Sequence, residues 1–261
     1  MDLCFDVEKA QNYKSLSQIA RVLTEDWAAK NLFCASCKQV RLQPAHDNTK
    51  VIDFICDSCS ETYQLKSHSR PLGEKILDAA YEPMIDSIKM NKTPNLFLLH
   101  YNSQNYCAEN LLVVPRYFLS LSCIEPRKPL SLSARRAGWV GCNIVLREIP
   151  IDGKIPIIKE RKATSPELVR ECYKRFRFLL EKRYDARGWT ADVLKVVREL
   201  GKTDFTLDEV YTFDKQLQKL HPENKHIHPK IRQQLQILRD KGILEFKGKG
   251  KYVFVNKKTV Y

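Results

Sequence analysis

Residues 51–67, VIDFICDSCSETYQLKS, crowd an aspartate, a Cys-x-x-Cys pair, and a glutamine and lysine two apart into one short apolar stretch. An earlier pair, Cys34-x2-Cys37, is separated from Cys56-x2-Cys59 by 18 residues. Two such knuckles suit the tetrahedral preference of zinc, and four sulfurs leave no open position for water. The pattern therefore predicts a structural zinc bound by Cys34, Cys37, Cys56 and Cys59. His46, between the knuckles, could replace one ligand, but the two pairs already fill four positions. If 50–55 and 61–66 are adjacent strands, the second knuckle is the turn that joins them. Zinc then fixes Asp53 relative to Gln64-Leu65-Lys66, and strand alternation places Gln64 and Lys66 on one face with Leu65 on the other. A magnesium-dependent nuclease needs oxygen ligands and a lysine beside the attacking water, and these residues supply such a set. Taken alone, the spacing also describes an ordinary surface strand.

The bulk composition narrows the partner. The chain has 261 residues with 43% hydrophobic content, enough for one large or two modest domains. Its formal charge of +13 favours an anionic partner, nucleic acid or an acidic membrane face. No apolar run is long enough to span a bilayer, and MDLCFDVEKAQ lacks the apolar core of a secretory signal, so a soluble, cytoplasmic bacterial protein is expected. Cys4, Cys107, Cys123, Cys142 and Cys172 are singletons, read as small buried apolar residues in a reducing compartment.

Along the chain, SLSQIARVLTEDWAAKN carries Leu16, Ile19, Ala20, Leu23 and Trp27 at helical spacing. Residues 73–90 also read as helical, kinked at Pro83, and NLFLLHY and NLLVVP read as buried strands. Long loops are expected between Pro115 and Pro156, then a helix over 165–182 with Ser165 as cap and Pro166 at its first position. From about Arg187 the style changes. WTADVLKVVREL, a helix opened by the Thr206–Glu209 capping box and running through Leu220, and KIRQQLQILRDKG give three helices. ILEFKGKGKYVFV then alternates about a glycine turn as a hairpin. Three helices and a hairpin is a winged-helix layout. Residues 225–261 hold 10 Lys+Arg against 2 Asp+Glu, a concentration that fits DNA phosphates better than a merely solvated surface.

LTEDW, both CxxC pairs, DFICDSCSETYQLKS, RKPLSLSARRAGWVGCNI and IRQQLQILRDKGILEFKGKGKY together resemble the DpnI-type methyl-directed type II restriction endonucleases, from about residue 13 to the C-terminus. The resemblance implies an α+β fold: a PD-(D/E)XK nuclease-like mixed sheet with helices and the Cys4 zinc site over 1–183, then a winged helix over 184–261. It implies cleavage of double-stranded DNA within GATC sites carrying N6-methyladenine, with Mg²⁺, or Mn²⁺ in its place, and a monomeric enzyme. Asp53, Lys66 and the Leu65 backbone carbonyl match the pattern, whereas Gln64 stands where the pattern has glutamate. A carboxamide oxygen still ligates a hard cation but brings no charge. A working enzyme and an inactive methyl-DNA reader both remain open on the sequence.

Methylation adds an apolar group to adenine N6 in the major groove. Trp139, flanked by Arg135 and Arg136, offers an apolar wall, and the resemblance assigns that loop to DNA contact. In the winged helix, Arg232, Gln233 and Gln236 are candidates for base edges. Lys230, Lys247, Lys249 and Lys251 complete the expected DNA contacts, those of the hairpin on phosphates.

Overall fold

The computed structural model describes residues 1–46 and 51–255. In chain order, α1 (Leu16–Asn31) precedes β1 (Gln43–Pro44), β2 (Phe54–Ile55) and β3 (Thr62–His68). Next come β4 (Lys75–Ala80), α2 (Tyr81–Lys89), β5 (Asn95–Asn102) and β6 (Cys107–Val114). Short β7 (Ile124–Pro126) and β8 (Gly141–Val145), then β9 (Ile155–Lys159), β10 (Lys162–Ala163) and α3 (Pro166–Arg175), close this region.

The two apolar runs decide the core. As β5 and β6 they pair antiparallel in the middle of a seven-stranded sheet of order β1-β2-β3-β5-β6-β9-β10. Leu96 to Leu99 are all buried, as expected of a strand covered on both faces. β3 runs parallel to β5, with Gln64 opposite Leu96 and Lys66 opposite Leu98, so the sheet is mixed. Helix α1 buries Leu23 and Trp27 as its spacing predicts, but Leu16 at its start is 79% exposed.

Several expectations need correction. Residues 75–80 are strand, not helix, and α2 starts only at Tyr81. Ile76 and Asp78 point inward while Leu77 is exposed, so an inward acid and an outward leucine hide the alternation. Pro83 then falls in the first turn of α2, where a missing N–H is harmless. The stretch read as loops contains β7 and β8, which join β4 in a second sheet of order β4-β8-β7. Finally, Cys4 and Cys107 are not singletons: they face each other across an antiparallel bridge and form a disulfide, with Cys4 exposed. Cys123, Cys142 and Cys172 are buried and lie outside any disulfide.

The C-terminal region holds α4 (Tyr184–Glu199), β11 (Asp204–Thr206), α5 (Leu207–Tyr211), α6 (Asp214–Leu220), α7 (Ile227–Asp240), β12 (Leu244–Gly248) and β13 (Lys251–Phe254). Ser165 caps α3 through the Leu168 N–H, and the Thr206–Glu209 capping box is formed. The helix it opens breaks at Thr212–Phe213, giving α5 and α6 in place of one element. Gly242, at φ +66°, ends α7, and β11, β13 and β12 form a third sheet.

Helix α4 is tied to the preceding region by buried polar contacts. Arg187, fully buried, donates to Asn91 Oδ1 at 2.8 Å and to the Ile88 carbonyl at 3.1 Å. Arg198 grips Asp152 with two bonds of 2.8 and 2.6 Å.

Candidate nuclease centre and nucleic-acid surface

The Cys56–Cys59 knuckle is the turn between β2 and β3: Phe54 pairs with Tyr63 and Ile55 with Thr62. Cys34 Sγ lies 3.6 Å from Cys59 Sγ, Cys37 Sγ lies 3.5 Å from Cys56 Sγ, and the four sulfurs fall within 4.8 Å of one another. A tetrahedral zinc with bonds of about 2.3 Å sets its sulfurs about 3.8 Å apart, so the cluster has the size for such a metal. Burial pushes the Cys34 thiol up, and the Cys59 thiol up to about 11, whereas at Cys37 burial is outweighed by the Gln39 N–H and the neighbouring thiols, which bring it down to about 7. The Tyr63 hydroxyl sits 3.2 Å from Cys34 Sγ, and its ring stacks on Phe97 of β5. Arg170 of α3 donates to the Cys34 and Gln39 carbonyls, both at 3.1 Å. The knuckles are thereby fastened to the sheet and to a helix.

Asp53 lies one residue before β2. Its N–H donates to the Tyr63 carbonyl at 2.9 Å, and its Oδ2 accepts from the Leu65 N–H at 2.7 Å. Asp53 is thus fixed against the strand carrying Gln64 and Lys66. Burial pushes its carboxyl upward, the Leu65 N–H pulls it back, and the charge of Glu25 pushes with the burial. Gln64 is 9% exposed and lines a cavity of about 120 Å³ together with Asp78, Thr93 and Leu119. Asp53 lines a separate groove of about 390 Å³ with Arg21, Glu25 and His46, and Ile52 borders both spaces. Lys66 does not project alone: its ammonium donates to Asp78 Oδ1 at 2.5 Å. Glu25, within LTEDW, and Asp78, within the stretch whose periodicity reads as helical, border this centre without a sequence signal of their own.

The loop of residues 127–140 is stapled by bonds from the Leu130 N–H to the Trp139 carbonyl and from the Gly138 N–H to the Leu130 carbonyl. Gly138, at φ +75°, makes the turn. Arg135 and Arg136 are exposed, Trp139 is half-buried, and the Arg136 guanidinium lies 5.0 Å from the indole centroid. The indole rests on Gly141, where a Cβ would come within 2.8 Å of it, so this close approach requires glycine.

In α7, Ile231, Gln234, Leu235 and Leu238 are buried, while Arg232, Gln233 and Gln236 are exposed together. Gln234 faces inward, accepting from Thr190 at 2.8 Å. Lys230 is not with the exposed set: it is half-buried, 5.9 Å over the Trp189 ring. On the hairpin, Lys247, Lys249 and Lys251 are exposed around a turn in which Gly248, Lys249 and Gly250 all have positive φ.

A mixed sheet with a zinc-sized cysteine cluster, joined to a helical module ending in a basic hairpin, defines an α+β protein directed to DNA. The profile of the DpnI, or Dam-replacing, family matches residues 1–182, and that of the Dam-replacing HTH domain matches residues 185–253. The chain belongs to the Dam-replacing family, a family of restriction nucleases.

Proposed function

We propose that the protein is a methyl-directed type II endodeoxyribonuclease that hydrolyses double-stranded DNA within GATC sites bearing N6-methyladenine. The observation that carries the reading is the delivery of Asp53, Gln64 and Lys66 by one hairpin whose turn is a metal knuckle. In this reading residues 1–183 are the PD-(D/E)XK-type nuclease domain and 184–261 the winged helix. The enzyme is a monomer acting in the bacterial cytoplasm. Among the described residues no helix is long and apolar enough to cross a membrane.

The donor set suits a hard cation: the Asp53 carboxylate, the Gln64 carboxamide oxygen and the Leu65 backbone carbonyl are all oxygens. Bound there, Mg²⁺ or Mn²⁺ would supply charge stabilisation for the phosphate and acidify the attacking water. Asp53 and Gln64 orient the ligand oxygens, and Lys66 aligns the water and balances the charge that develops on the phosphate. Arg135, Arg136 and Trp139 contact the methylated site from the nuclease side. Arg232, Gln233 and Gln236 read base edges from α7, and Lys247, Lys249 and Lys251 touch phosphates. Lys230, set apart beside Trp189, is at most a phosphate contact at the rim.

Gln64 favours a second reading, a methyladenine reader that does not cut, because the carboxamide leaves the site one charge short. Incubating the protein with methylated and unmethylated GATC plasmid in Mg²⁺ and in Mn²⁺ separates the two. Cutting of methylated plasmid alone supports the nuclease. Retention of methylated DNA with no cutting by the parent or by Gln64→Glu supports the reader.

A further inference from the structure

We infer that Asp78 is the positioning residue of Lys66; the inference rests on the nuclease reading above. The Asp78 side chain is 1% exposed, and its hydrogen-bond partner among the described residues is the Lys66 ammonium. A carboxylate is kept in such a place only when paired, and this one lines an otherwise largely apolar cavity beside Gln64.

The backbone around Asp78 is shaped to aim it. β4 and β8 pair Asp78 with Cys142 and Ala80 with Gly141, and the register shifts between the two pairs. Such a bulge re-aims side chains and bends the strand that carries it. Gly141, the next paired position, is the glycine on which Trp139 rests, and the Tyr81 N–H donates to the Val140 carbonyl at 3.0 Å. One short ladder therefore joins the Trp139 loop to the carboxylate that holds Lys66. Lysine has four rotatable carbons and no fixed direction of its own. Asp78 supplies that direction and ties it to the part of the molecule that meets DNA.

The test uses the full chain and steady-state cleavage of a methylated GATC duplex. Asp78→Asn keeps the volume and removes the charge. It is expected to lower kcat by roughly 100-fold, the scale of a small misplacement at a reacting centre. KM, binding of the methylated duplex in Ca²⁺, zinc content and the metal concentration for half activation should stay near the parent values. Asp78→Glu should recover part of kcat. Asp78→Ser, smaller and neutral, carries the same expectation if the Asn variant does not fold. A folded neutral variant with the parent's kcat overturns the inference, and so does one whose main defect is a higher metal requirement, which would make Asp78 a metal ligand. A parent that never cuts overturns the nuclease reading and this inference together, whereas a cutting parent with an equally fast Asp78→Asn overturns the inference alone.

Discussion

Two antiparallel hairpins carry the lysines of the proposed site and DNA surface, and they treat charge in opposite ways. In the β2–β3 hairpin the turn is a cysteine knuckle, and Lys66 is 19% exposed against an Asp78 side chain at 1%. In the β12–β13 hairpin the turn is Gly-Lys-Gly, and its ion pair among the described residues, Lys247 with Glu245, is 49% and 57% exposed. The first arrangement fixes one ammonium in one place, as chemistry at a single phosphate requires. The second leaves several ammonium groups free to follow a backbone, as affinity for DNA requires. Removing a group from the first hairpin should therefore act on rate, and from the second on salt-dependent binding.

The sharpest break comes from the cysteine knuckle, the zinc site of the proposed reading. Cys56→Ser should lose the bound zinc, lower the melting temperature by about 10 °C or more, and lose cleavage with it. Elemental analysis that finds no zinc in the folded parent would sink this expectation. Next, Lys66→Ala and Asp53→Ala should each reduce cleavage of methylated GATC duplex by at least about 100-fold. Both should bind that duplex in Ca²⁺ like the parent; a Lys66→Ala variant that cuts normally places the site elsewhere. On the second hairpin, Lys249→Ala and Lys251→Ala should leave kcat unchanged and weaken binding to all sequences alike. Each should reduce the slope of log affinity against log salt by about one, and a salt titration showing the parent slope would remove that lysine from the interface. The smallest effect is expected from Gln64→Glu, which puts a carboxylate on the strand whose Leu65 N–H holds Asp53. It should lower the Mg²⁺ concentration for half activation by several-fold, on the order of 1 kcal/mol, as for one added charged ligand in a partly solvated site. An unchanged metal curve would mean that residue 64 does not touch the cation.

What the sequence disclosed followed local spacing. Cys-x-x-Cys pairs, the apolar runs of β5 and β6, and the Thr206–Glu209 box act over a few residues, and each folds as its spacing predicts. The exposed face of α7 was legible for the same reason, because Arg232, Gln233 and Gln236 share a helical side, although Lys230 does not. What stayed hidden depended on distant partners. Asp78 breaks the apolar alternation of β4 because its partner is Lys66 on another sheet. The Cys4–Cys107 disulfide joins residues 103 apart, and no local pattern announces it. Glu25 sat in view within LTEDW, but its nearness to Asp53 depends on how α1 lies against the start of β2.

The contacts of α4 also bear on how such chains can be recombined. Arg187 ends on Asn91 and Ile88, and Arg198 on the fully buried Asp152, so the first helix of the C-terminal module carries side chains whose partners belong to the N-terminal one. A foreign module grafted near residue 184 without those arginines would leave Asp152 as a buried charge with no counterion, at about 3–5 kcal/mol. Exchange of reading heads between relatives is therefore restricted to donors that bring matching arginines, or to crossovers beyond the end of α4.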